Sequence, residues 1–258
     1  MSNAQSTRAV PPLRAQPTPE YDTEVFRQRI HEAGVRVRDE RGATELRILE
    51  AGCGRQWTLG TVEVEGVTPH ITGIDADGRS LRMRIDERAD LHEAIVGDLR
   101  TVELPEAAYD VVFCSWVLEH VSGAEQVLDR LFAALRPGGT LLLRIPDRDS
   151  VYGFLTRIAP FGLHVAYKRH VRGRVNAGRP GFGPFPTVYD RVVSYRGVLD
   201  YCARNEVEVL QTLSCNHHLR YFGRMSPIVD AGLRTVAAAS LGRLTARHNN
   251  LAFVLRKS

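Results

Sequence analysis

Three acidic residues stand where side-chain type and spacing could do chemistry. Glu50, Asp75 and Asp98 each close a short apolar run. Glu50 opens Glu50-Ala51-Gly52-Cys53-Gly54, directly after the run LRILE at 46–50. Glycines in such a turn let a ligand approach the backbone closely. A carboxylate at this point repels a pyrophosphate and favours a cation. A dinucleotide fingerprint, G-x-G-x-x-G, would place its third glycine at position 57, but that residue is Trp57. Asp75 ends the second run, HITGID, where an acid can accept hydrogen bonds from ribose hydroxyls. Asp77 is a second choice for that role. Asp98 follows Gly97 after the third run; it could accept from an adenine amino group while Leu99 packs on the ring. Taken singly, Asp75 and Asp98 also read as a capping and a turn residue, and the glycine turn as an ordinary βα turn.

The elements that must position these residues follow from periodicity. The runs at 46–50, 70–75, 91–98, 109–115 and 140–146 read as strands. YDVVFCS (109–115) is continuous and β-branched, as a strand buried on both faces should be. Between the last two runs, Val127, Leu128, Leu131, Phe132 and Leu135 recur at helical spacing, and Pro137-Gly138-Gly139 ends that helix. Alternating strands and helical patterns predict βαβ units and a parallel sheet. Further on, a helix is expected at 194–204, a strand at 206–213, a helix at 226–247 and a last strand at 251–257.

The ordered series ILEAGCG, GID, VGD, YDVVFCSWVLEHV and LFAALRPGGTLLLRIP resembles the motif set of class I S-adenosylmethionine (SAM)-dependent methyltransferases. The V-L-E-H stretch resembles their quinone-biosynthesis branch. The resemblance covers about 45–146 and implies a Rossmann-like α/β fold. Its sheet would be seven-stranded and mostly parallel, with an antiparallel last strand and helices on both faces. SAM would be the cofactor. Glu50, Ala51 and Gly52, with Gly54 in the same turn, would flank its methionine part. Asp75 would hold the ribose, and Asp98 with Leu99 the adenine. Ser115 and Trp116 would line the site near the sulfonium. Gln56 replaces the third glycine of the family's E/D-x-G-x-G-x-G pattern. His120 is the candidate general base, since imidazole titrates in the right range; a His that caps and packs is the alternative. No metal site is expected, because the acids and histidines lack ligand spacing.

Composition bounds the rest. The chain has 258 residues, 43% hydrophobic and 25% charged, with a net charge of +4. That near-balance, without a recognition module, disfavours a nucleic-acid partner. None of the four cysteines forms a C-x-x-C pair, which fits free thiols in a reducing cytosol and a cytoplasmic location. Residues 1–20, rich in Pro, Ser, Ala and Gln, read as a disordered tail before a methyltransferase domain at 21–258. Within that domain, about 150–195 reads as a lid-like insertion. His164, Lys168, Arg169, His170, Arg172, Arg174 and Arg179, with Phe182, Phe185 and Tyr189, suit an acceptor bearing phosphate or carboxylate; the alternative is a solvated loop. The 226–247 helix places Val229, Leu233, Val236, Ser240 and Leu244 on one side. Packing on the sheet is the first expectation for it, and peripheral membrane contact the second. The function expected is methyl transfer to a small-molecule, glycan or lipid-intermediate acceptor. An NAD(P)-dependent oxidoreductase and a non-catalytic SAM-binding protein are the rivals. Oligomeric state is left open.

Overall fold

The computed structural model describes residues 10–18, 20–170, 173–179, 183 and 185–258. Among them, eight strands form one sheet. In chain order they are β1 (Arg14–Ala15), β2 (Glu45–Ala51), β3 (Thr68–Asp75), β4 (Glu93–Val96), β5 (Tyr109–Ser115), β6 (Leu135–Pro146), β7 (Glu208–Cys215) and β8 (Asn250–Arg256). The spatial order is β1-β7-β8-β6-β5-β2-β3-β4. Every pairing is parallel except those of β8, which runs antiparallel to both β6 and β7. The expected fold and its antiparallel last strand are therefore present. The eighth strand is a difference: Arg14–Ala15, set aside as disordered tail, pairs with β7, and Gln16 N donates to Ser214 O at 2.8 Å. Leu13 packs against the core. This short strand covers what would otherwise be an open sheet edge. Residues 1–9 of the predicted tail lie outside the described residues.

Period-two alternation sends successive strand residues to opposite faces. Ile48, Val111, Phe113 and Leu142 meet α1 (Tyr21–Arg41) through Phe26, Ile30, Ala33 and Val37. Leu49, Val112, Leu141 and Leu143 meet α3 (Ala124–Ala134) and α6 (Tyr195–Arg204). Each fully buried side chain of this size contributes about 1.5–3 kcal/mol relative to exposure. The buried pair Asp22 Oδ2–Arg144 Nε, at 2.7 Å, ties the start of α1 to β6. The remaining helices are α2 (Gly78–Arg88), α4 (Val151–Ile158), α5 (Phe161–His170) and α7 (Ser226–Ala239), with 3-10 turns at Leu118–His120 and His217–Met225.

Two features depart from a regular βαβ pattern and from the helix expected at 226–247. The β2–β3 connection, 52–67, carries no helix. Its Gly60, Gly66 and β-branched Thr61, Val62, Val64 and Val67 disfavour one. Trp57 pins it instead, meeting Phe113 edge-on at 5.5 Å and donating Nε1–H to Gly60 O at 2.7 Å. The predicted 226–247 helix ends at Ala239, because Leu241 and Gly242 both adopt left-handed φ (53° and 80°). Nor does α7 bury any residue; it packs against α4 and the preceding 3-10 turn.

Candidate active site

A cavity of about 980 Å³ opens at the carboxyl ends of β2–β5. Its inner wall is the 52–54 turn. Gly52 N and Cys53 N both donate to Ile74 O, at 2.8 and 2.9 Å, which hangs the turn from β3. Gly52 has φ +70°, and a Cβ there would lie 2.2 Å from Val117 Cγ2. Only glycine fits that cradle. Asp75 then closes the turn: Oδ2 accepts from Gly54 N at 2.7 Å and Oδ1 from Asp77 N at 2.8 Å. Each oxygen keeps a lone pair for further donors. Asp77 itself caps α2 through Arg79 N and Ser80 Oγ.

Glu50 and Ala51 do not reach the cavity wall; both are buried behind the turn. Arg84 of α2, fully buried, places Nη2 2.8 Å from Glu50 Oε2. It also donates Nη1–H to Cys53 O at 2.8 Å and Nε–H to Asp90 Oδ1 at 2.9 Å. Glu50 thus braces the turn through Arg84. Burial pushes its carboxyl up to about 7, against the opposing pull of Arg84. Arg84 was not legible in sequence: α2 carries four arginines, and nothing in their spacing marks one as buried.

Asp98 and Leu99 line the cavity beside Gly97. Asp98 accepts from Arg100 N, Nε and Nη2, and the side-chain bonds to Arg100 hold its carboxyl down at about 2. Trp116 also lines the cavity, whereas Ser115 does not. Trp116 has φ +60°, a conformation that a bulky residue adopts only when its surroundings hold it there.

The 3-10 turn after β5 carries Glu119 and His120. A carbonyl can only accept, so the 2.8 Å contact with Pro186 O means that His120 Nδ1 carries the proton. Nε2 is left with its lone pair. Burial lowers the His120 pKa, which keeps the ring neutral near pH 7. Glu119 is buried, and burial pushes its carboxyl up to about 8. Its backbone oxygen accepts from Val188 N at 2.8 Å and Tyr189 N at 3.3 Å. Together the two residues pin the 185–189 segment over the cavity. Asp190 Oδ2 fastens the segment's end, accepting from Gly123 N and Ala124 N at the start of α3.

Of the residues singled out in the insertion, Arg174 and Phe185 line the cavity and Tyr189 is buried behind it. Arg172 and Phe182 lie outside the described residues. His164, Lys168, Arg169, His170 and Arg179 are not on the wall. Among the described residues no group of three or more His, Cys, Asp or Glu could hold a metal ion. The dinucleotide reading loses its geometry: no helix follows the glycine turn directly, so the turn does not present the helix N-terminus that the fingerprint requires. A ligand with a ribose and a cationic centre fits better, given the Asp75 carboxylate, the Gly52 cradle and the indole of Trp116.

Residues 49–143 match the family described as "Methyltransferase domain". A protein of Mycolicibacterium smegmatis, named a probable S-adenosylmethionine-dependent methyltransferase, is 35% identical over 104 residues, covering 39% of this chain and 38% of that one. The demethylmenaquinone methyltransferase of Listeria welshimeri is 29% identical over 112 residues, 42% of this chain and 48% of its own. The chain spans less than half the length of the curated relatives it matches. Among solved structures, a SAM-dependent methyltransferase from Mesorhizobium loti shares the fold with a TM-score of 0.55 at 16% identity, over 93% of this chain and 99% of that one. Residues 49–143 thus carry a methyltransferase domain similar to that of SAM-dependent methyltransferases, on a fold that the chain shares with one of them over most of its length.

Proposed function

We propose that this chain moves a methyl group from SAM to a small acceptor bearing an anionic or polyhydroxylated group, whether a free small molecule, a glycan or a lipid intermediate. One observation carries this reading. A single cavity joins Gly52, Asp75, Asp98 and Leu99 to His120, Arg174 and Phe185. SAM, when bound, supplies the electrophilic methyl group. The chain's residues do the rest. The glycine turn admits the ligand against bare backbone, and the free lone pairs of Asp75 accept hydrogen bonds from ribose hydroxyls. Leu99 offers an apolar wall to the base, and Trp116 a π face to the cation.

His120 Nε2 takes the proton that the acceptor loses as its bond to carbon forms, and later passes it to water. Arg174 meets acceptor oxygens, while Phe185, Pro186 and Val188 keep water out. Much of the rate comes from holding nucleophile and methyl in line. Isothermal titration tests the first half: S-adenosylhomocysteine should bind and NAD should not. Transfer of labelled methyl from SAM into a small-molecule cell extract tests the second. Loss of that label in His120→Ala, with S-adenosylhomocysteine affinity retained, supports the base assignment. NAD binding without a response to S-adenosylhomocysteine would overturn the reading. Cofactor binding with no labelled product in any fraction would favour a non-catalytic SAM-binding protein.

A further inference from the structure

α4, α5, the 3-10 segment His217–Met225 and α7 make one continuous surface. α7 packs on both α4 and the 3-10 segment, and the Tyr167 and Phe222 rings, 6.4 Å apart, link α5 to the latter. Neither α5 nor α7 buries a residue. Instead Ile158, Phe161, Leu163, Met225, Ile228 and Leu241 stand in water, Ile228 at 69% exposure and Leu241 at 89%. One exposed aliphatic is ordinary; a run of them across four adjoining elements marks a surface built to be covered.

Charge says by what. Residues 151–189 contain no acid, and in 216–247 the only acid is Asp230, already paired with Arg234 at 2.8 Å. Arg169, Arg224, Arg243 and Arg247, on or beside the same elements, are exposed. A cavity of about 450 Å³ between α7 and 244–247, lined by Asn216, Arg234, Leu244 and Arg247, has room for a phosphate. We infer that this face docks on an anionic lipid bilayer, its aliphatics entering beneath the headgroups and its guanidiniums meeting lipid phosphates. A second copy of the chain fits poorly, because a two-fold pairing would set arginine against arginine. A nucleic-acid backbone would leave the protruding aliphatics unburied. Among the described residues no helix is long and apolar enough to cross a membrane, so the contact is a surface one.

Docking would also orient the active site. α5 carries the 173–179 segment through Arg174 N to Lys168 O and Arg169 Nε to Ala177 O, both 2.9 Å. The acceptor end of the cavity therefore adjoins the docked face. The inference does not rest on methyl transfer, because surface binding is measured without cofactor. In sedimentation, the full chain should bind vesicles containing phosphatidylglycerol at least about tenfold more tightly than pure phosphatidylcholine vesicles, and less tightly as salt rises. Ile228→Asp with Leu241→Asp should abolish binding while leaving the melting temperature unchanged, since both side chains lie in solvent. Arg243→Ala with Arg247→Ala should weaken it by roughly fivefold per arginine. Three results would each overturn the inference: no binding to anionic vesicles at low salt, undiminished binding by the aspartate variant, or preferential retention of an RNA. A concentration-dependent dimer that the aspartate variant dissolves, with no vesicle binding, would assign the face to self-association instead.

Discussion

The two walls of the cavity are built on different principles. The wall from β2 and β3 is braced from behind: three backbone N–H groups of the glycine turn and its Cys53 carbonyl are all engaged, and a fully buried arginine locks the arrangement. The wall from the insertion is fastened at few points, mainly Glu119 O, Pro186 O and Asp190, and leaves Phe185 and Val188 nearly half exposed. One side is fixed from several directions. The other can change its surface residues without disturbing the sheet. On the proposed function, the braced wall would hold the cofactor and the loosely fastened one the acceptor, so that new acceptors could be taken by substitution in one segment.

The sharpest way to break this contrast is at Arg84. Arg84→Met leaves Glu50 buried without its partner, and should cost about 3–5 kcal/mol of stability. Chemical denaturation measures it, and adding Glu50→Gln should recover a substantial part. A cost below about 1 kcal/mol would mean that the rear brace is dispensable. Next in size is Asp75→Ala. Loss of a charge-assisted bond to a ribose, worth about 1.5–3 kcal/mol, predicts S-adenosylhomocysteine affinity weaker by about tenfold to a hundredfold. The melting temperature should fall as well, because Gly54 N and Asp77 N lose their acceptor. Unaltered affinity would remove Asp75 from the cofactor wall.

Glu119 sharpens the contrast through pH. Its carboxyl titrates at about 8 when folded against an ordinary 4.5. Between those values the native state holds a proton that the unfolded chain has released. Its contribution is therefore full below 4.5 and lost as the pH rises to about 8. Glu119→Gln should flatten that decline in melting temperature across the range; an unchanged slope would show that another group sets it. The smallest effect is expected on the loosely held wall. Arg174→Ala should raise the acceptor KM by about threefold to tenfold, the worth of one partly exposed charged contact. Cofactor affinity should stay within about twofold. Weakened SAM binding would mean that the two walls are not separable.

Much of the wall built from β2–β5 is legible in the sequence because it is local. A glycine turn after a buried strand, and acids at the ends of the next two, follow from period and residue type alone. Gly52, Gly54, Asp75, Asp98, Leu99, Trp116 and His120 all line one cavity. Glu50 was read as facing a cationic ligand, yet the cation it meets is Arg84, a pairing made by tertiary packing across residues distant in sequence. α1 is hard to read in the sequence for a related reason: its apolar positions recur at helical spacing, but five arginines among its 21 residues obscure them. α7 does not pack on the sheet as its apolar stripe suggests, because such a stripe shows that a face wants covering and not what covers it.

The position of β8 has a consequence for how the chain comes off the ribosome. β8 is synthesised after both of its neighbours, yet lies between them. Until it emerges, the β6 side of the nascent sheet is an open edge, and β7 has only the two-residue β1 to pair with. An uncapped edge rich in Leu and Ile, at 141–145, is the kind of surface on which newly made chains stick to one another. The antiparallel strand is thus the closing stitch of synthesis. Truncations just upstream of residue 250 should yield insoluble material out of proportion to the few residues removed.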